Sequence, residues 1–216
     1  MSARPRQFSL DLARAPLFTR AAFVTSAANA AAVAQVDRWR SWPGGMLALV
    51  GPEGGGKTHL GRVWAEEAGA AVLGADDTAP DSGPVLLEDA DRAGDERLFH
   101  LINRGGGLLL TSRLRPAAWP CALPDLRSRL NALTVAEIGE PDDALLIAVL
   151  EALFRERLIR AAPDLYEYLL RRMDRSVAAA RALVAHLDAA AAEQGRPVNR
   201  LLAREVLEET ADLFGG

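Results

Sequence analysis

The chain has 216 residues, half of them hydrophobic, with 29 acidic against 25 basic side chains and a formal net charge of −4. That length holds one large domain or two small ones with a real core, and the acidic balance excludes a globally basic nucleic-acid binder while leaving room for a local basic patch. A single cysteine, Cys121, excludes an intramolecular disulfide and fits a reducing compartment. No apolar run approaches the length of a membrane span and the charged N-terminus lacks a signal-peptide core, so a cytoplasmic protein is expected.

Residues 1–20 read as an arm in which Arg4, Pro5, Arg6, Arg14, Pro16 and Arg20 break any periodicity. Within it, Gln7-Phe8-Ser9-Leu10-Asp11-Leu12 alternates apolar side chains at Phe8, Leu10 and Leu12. That pattern suits an edge strand, a tail, or an extended peptide docking in a partner's groove. Phe23-Val24 then precedes Thr25-Ser26, either of which caps an alanine-rich helix over 27–39. Trp39 and Trp42 lack interleaved basic and aromatic neighbours apart from Arg38 and Arg40 and read as packing residues. Pro43-Gly44-Gly45 ends this segment.

Met46 to Val50 is an apolar run that reads as a buried strand, and 59–70 is rich in helix formers. Between them Gly51 to Thr58 (GPEGGGKT) reads G-x-x-x-x-G-K-T, a phosphate-binding loop in its proper strand–loop–helix context. Glycines such as Gly51, Gly54, Gly55 and Gly56 let backbone N–H groups close on phosphate oxygens, and the following helix N-terminus adds partial positive charge. In this motif Lys57 reaches the β- and γ-phosphates and the Thr58 hydroxyl holds Mg²⁺.

Further on, 71–73 is a short strand, 74–84 a loop by composition, and Val85-Leu86-Leu87 a strand that ends in Glu88 and Asp89. Ligands of parallel α/β sheets lie at the carboxyl ends of the strands. Glu88 and Asp89 are therefore expected beside the phosphate loop, one holding Mg²⁺ or its water and the other orienting a hydrolytic water. A helix over 96–104 ends at three glycines, and Leu108 to Leu110 leads into Thr111-Ser112, hydroxyls at a strand tip. His100 has no Cys or His partner nearby and reads as a polar-face residue. Arg127 and Arg129, two apart in DLRSRL, do not share a helix face: one suits a local ion pair while the other projects. From Glu140 the pattern is helical throughout, over 144–157, 163–173, 177–194 and 200–214. The expected architecture is an α/β nucleotide-binding domain with a parallel sheet over 21–136, followed by a small all-helical domain over 137–216.

In this order, GPEGGGKTHL, the strand ending in Glu-Asp, FHLIN, LLLTS, LRSRL and the helical C-terminal part resemble the AAA+ module of the bacterial replication initiator DnaA over roughly residues 16–214. The chain ends before a helix-turn-helix domain and QFSLDL resembles the short motif by which replication proteins bind the DNA polymerase sliding clamp; in both respects it resembles the Hda-like, DnaA-related regulators, and its composition suits an alphaproteobacterial member such as HdaA. The resemblance implies that Phe23 and Val24 cup an adenine base, that Gly51 to Thr58 bind the phosphates of ADP or ATP, and that His59 continues the family's GKTHL. It further implies that Glu88 and Asp89 hold the Walker-B positions with Mg²⁺ at Thr58 and Glu88, and that Thr111 and Ser112 are at sensor I. Arg129 then falls at the arginine-finger position and acts in trans on ATP bound to DnaA. The implied function is negative regulation of replication initiation: bound to nucleotide, ADP in preference, and docked on the clamp through Gln7, Phe8, Leu10 and Leu12, the chain stimulates ATP hydrolysis by DnaA. Homo-oligomers of such a domain are a further option.

Three departures bear on this. The first Walker-B acid, usually Asp, is Glu88; the usual Asp after sensor I is Arg113; and the sensor-II arginine falls on Ala178, with Arg175 and Arg181 one turn to either side. They favour a nucleotide-binding regulator with at most weak ATPase activity over an autonomous ATPase such as a helicase loader. The acidic balance disfavours a DNA-bound initiator.

Overall fold

The computed structural model describes residues 18–74 and 76–214, so the expectations for Gln7, Phe8, Leu10 and Leu12 lie outside the described residues. Five strands, β1 (Met46–Val50), β2 (Ala71–Leu73), β3 (Val85–Leu87), β4 (Leu108–Ser112) and β5 (Val135–Glu137), form one sheet in the order β2-β3-β4-β1-β5. Every pairing is parallel, and β1 lies between β4 (Leu47 opposite Leu109) and β5 (Leu49 opposite Ala136). The crossovers carry α2 (Lys57–Ala68), α3 (Asp95–Arg104) and α4 (Pro124–Ala132), while α1 (Ala30–Asp37) precedes β1.

The two-residue period of the strands sorts their side chains onto two buried faces, as a parallel sheet covered on both sides requires. Leu47, Leu49, Leu86 and Leu109 pack with Val33, Val36, Leu60 and Trp64 from α1 and α2. Val85, Leu87, Leu108 and Leu110 pack with Leu98, Leu101, Leu126 and Leu130 from α3 and α4. Trp42 stacks on Trp64 at 5.4 Å and Trp39 meets the same ring edge-on at 6.2 Å, so both tryptophans are packing residues.

Four helices, α5 (Asp143–Glu156), α6 (Pro163–Leu170), α7 (Val177–Gln194) and α8 (Arg200–Phe214), build a separate core around Leu150, Phe154, Leu169, Val184 and Leu202. Asp142 caps α5 by accepting from the Leu145 N–H at 2.7 Å, and Ser176 caps α7 by accepting from the Ala179 N–H at 3.0 Å. Two differences from the sequence reading stand out. Helix α1 starts at Ala30, because Ser26 and Asn29 close a turn in which the Ser26 N–H donates to Asn29 Oδ1 at 2.9 Å. Strand β5 lies in the segment expected to be only a boundary; the Ile138 N–H donates to the Val50 carbonyl at 2.8 Å and extends the pairing. No described helix is long and apolar enough to cross a membrane.

Candidate nucleotide site

Strands β1, β3 and β4 end together, and the residues after them form the candidate site. Sheet and loop are tied where the Gly51 N–H donates to the Ser112 carbonyl at 3.3 Å. Lys57 opens α2 and is buried; its ammonium donates to the Gly51 carbonyl at 2.9 Å and the Pro52 carbonyl at 2.7 Å. Burial pushes the Lys57 pKa below its usual value, opposed by the nearby Asp89 charge and reinforced by Arg113. Thr58 follows on the exposed side of the first turn.

Asp89 adopts a left-handed backbone (φ +50°), uncommon outside glycine, and its N–H donates to Thr111 Oγ1 at 3.3 Å. Thr111 thus braces the acid after β3. Ser112 is fully buried and its Oγ accepts from the Leu114 N–H at 3.0 Å. Arg113 pairs with Glu53 of the phosphate loop at 3.0 Å. Glu88 is held otherwise: both its carboxylate oxygens accept from the Arg62 guanidinium of α2, Oε2 from Nη2 at 3.0 Å and Oε1 from Nε at 3.3 Å. The hydrogen-bonded carboxylate in turn raises the Arg62 pKa.

A Mg²⁺ ion is implied by the phosphate loop. The exposed Thr58 hydroxyl and the exposed Asp89 carboxylate, whose charge reaches Lys57, fit such an ion. Glu88 as found gives both its oxygens to a cation of the chain itself.

Beside the loop lies a cleft between the phosphate loop and the helical part. Phe23, Val24, Gly55, Gly56 and His59 line one side; Leu145 and Val149 of α5 and Val177 and Arg181 of α7 line the other. His59 is buried, and its Nε2–H donates to the Thr19 carbonyl at 3.0 Å. The Phe18 and Phe23 rings meet it edge-on at 5.5 and 5.2 Å. Burial pushes its pKa below 6.5, against the pull of the Thr19 carbonyl, and the Arg181 charge adds to the lowering.

The helical part touches the loop directly. The Val177 N–H donates to the Gly54 carbonyl at 3.0 Å. Gly54 has φ +68°, and a Cβ there would stand 2.7 Å from Ser176 Cβ and 3.4 Å from Ala178 Cβ. Ala178, where the sensor-II arginine was expected, therefore sits against the phosphate loop without a charge. Arg175 is engaged by Asp143 at 2.5 Å, and Arg181 lines the cleft.

The two arginines of α4 have different roles. Arg127 donates to the carbonyls of Ala117 at 3.0 Å and Trp119 at 2.6 Å, so it braces a loop, and it forms no ion pair among the described residues. Arg129 is exposed, its guanidinium 5.4 Å from the Phe99 ring centre, and it is not among the residues lining the cleft.

No family model matches the chain, and no curated protein matches it. Solved structures do. Domain III of the replication initiation protein DnaA of Thermotoga maritima superposes with a TM-score of 0.77 at 17% identity, covering 90% of this chain and 97% of that one. The chain has the fold of DnaA domain III. AMPPCP-bound DnaA of Aquifex aeolicus matches with a TM-score of 0.66 at 20% identity, over 79% of this chain and 65% of that one. RuvB of Thermotoga maritima matches with a TM-score of 0.65 at 14% identity, over 84% and 66%. Within this fold, sequence reasoning missed Arg62 and the contact of Ser176 and Val177 with Gly54. Arg62 had one signal: it lies four residues after Thr58, hence on the same face of α2.

Proposed function

We propose that the chain is a nucleotide-binding AAA+ regulator of the Hda kind, acting on a DnaA initiator. Its AAA+ domain (21–136) and helical lid (137–216) hold ADP or ATP in the cleft, with Phe23 and Val24 at the base, Gly51 to Thr58 at the phosphates and Mg²⁺ beside Thr58. The arm carrying Gln7, Phe8, Leu10 and Leu12 docks on the sliding clamp, and Arg129 enters the nucleotide site of DnaA. Regulation takes place in the cytoplasm, where homo-oligomers through the same faces are an added option.

The observation that carries this reading is the contrast between two arginines within a DnaA-type fold: Arg127 is consumed by local carbonyls while Arg129 stands exposed on α4. An exposed arginine is what a trans-acting finger requires. The commitment of Glu88 to Arg62 and the absence of a charge at Ala178 support weak intrinsic turnover, which favours a regulator over an autonomous motor. The AMPPCP in a related DnaA supports a nucleotide in the cleft.

The test is hydrolysis of ATP by DnaA with clamp loaded on DNA. Adding the chain should accelerate hydrolysis, Arg129→Ala should abolish the acceleration, and Gln7→Ala should abolish clamp pull-down. Undiminished stimulation by Arg129→Ala sinks the finger role. Robust ATP turnover by the chain alone points to the motor instead.

A further inference from the structure

The Walker-B strand end places two acids side by side, and the fold treats them differently. Asp89 is exposed, braced through its backbone by Thr111, and its charge acts on Lys57. Glu88 is partly buried and gives both carboxylate oxygens to Arg62. This two-pronged geometry is the strong form of an arginine–carboxylate pair. The Phe18 ring lies 5.6 Å from the guanidinium carbon and adds a second contact that holds Arg62 in place.

A divalent cation bound to a Glu88 oxygen would stand at a distance of about 2 Å. It would then lie within a few ångströms of the guanidinium, where like charges repel strongly at a partly desolvated site. Glu88 therefore serves one cation at a time. The extra methylene of Glu relative to Asp is what lets this carboxylate reach across to α2.

We infer that Arg62 withholds Glu88 from the divalent metal of a bound nucleotide, so that Glu88 is an ion-pair partner of α2 and Thr58 and Asp89 are left as the metal side of the site. The inference rests on the nucleotide-binding reading above. It makes Arg62 a positioning residue that lowers the dependence of nucleotide affinity on Mg²⁺.

The experiment measures mant-ADP affinity of the full chain in excess MgCl₂ and in EDTA, taking the ratio of the two dissociation constants. Arg62→Gln frees Glu88 and should enlarge the ratio about tenfold, the usual scale for a shell residue around a metal. The double variant Arg62→Gln/Glu88→Gln should return it to the wild-type value. Arg62→Met, which keeps the aliphatic stem against Phe18, gives the same reading should the Gln variant fold poorly in a thermal melt. A ratio unchanged in both single variants, or a gain that survives in the double variant, overturns the inference alone. Failure of the wild-type chain to bind mant-ADP in either buffer overturns the nucleotide reading and this inference with it.

Discussion

Contact between the lid and the phosphate loop can be tested at Gly54. Its backbone is left-handed at φ +68°, and an alanine Cβ there would stand 2.7 Å from Ser176 Cβ and 3.0 Å from Ser176 Oγ. Two costs separate cleanly. The first is backbone strain, about 1–2 kcal/mol for a non-glycine residue in this region, reduced by about 0.5 kcal/mol because alanine also restricts the unfolded chain. The second is displacement of Ser176. That residue caps α7 through the Ala179 N–H, and the adjacent Val177 N–H holds the Gly54 carbonyl. Losing the cap and that hydrogen bond adds about 2 kcal/mol. Gly69 is the control: its φ is +63°, and nothing lies within 4 Å of an added Cβ. Urea unfolding should therefore show Gly69→Ala costing about 1 kcal/mol and Gly54→Ala about 3 kcal/mol. The Gly54 variant should also weaken mant-ADP binding, because α7 lines the cleft. Equal destabilisation by the two variants refutes the claim that the lid bears on the loop.

Two further predictions concern His59 and the arginines of α4. The His59 pKa is lowered by burial, so between 6.5 and its folded value the unfolded chain binds more protons. The stability from keeping His59 neutral is fully present above pH 6.5 and is lost as the pH falls through 6.5 towards the folded pKa. His59→Gln should flatten that part of the stability–pH curve in urea titrations, and an unchanged slope contradicts the assignment. Arg127→Ala should cost about 2 kcal/mol, the scale for hydrogen bonds from a charged donor, whereas exposed Arg129→Ala should cost under about 1 kcal/mol. Thermal melts that rank the two the other way would show Arg129 to be structural.

The parts of this molecule that were legible in the sequence are those whose determinants are neighbours in the chain. Strand β1, the glycine loop and α2 announce themselves because an apolar run, a G-x-x-x-x-G-K-T spacing and a helix-forming segment follow one another directly. The C-terminal helices are legible for the same reason, and α5 and α7 each open at an adjacent cap, Asp142 and Ser176. Strand β5 escaped because three residues, Val135–Glu137, are too few to show alternation; its place is set by β1, more than eighty residues earlier, whose Leu49 lies opposite Ala136. The pairing of Glu88 with Arg62 was not legible for a similar reason. An acid after three apolar strand residues reads as a metal-site candidate, and the run itself does not show what else its carboxylate meets. The side chain that decides this, Arg62, lies 26 positions away on a helix crossing the same sheet. A motif therefore specifies where a functional group will be delivered, because delivery depends on local backbone. Which group that side chain then meets depends on the helix packed above it, and here both Glu88 oxygens accept from Arg62.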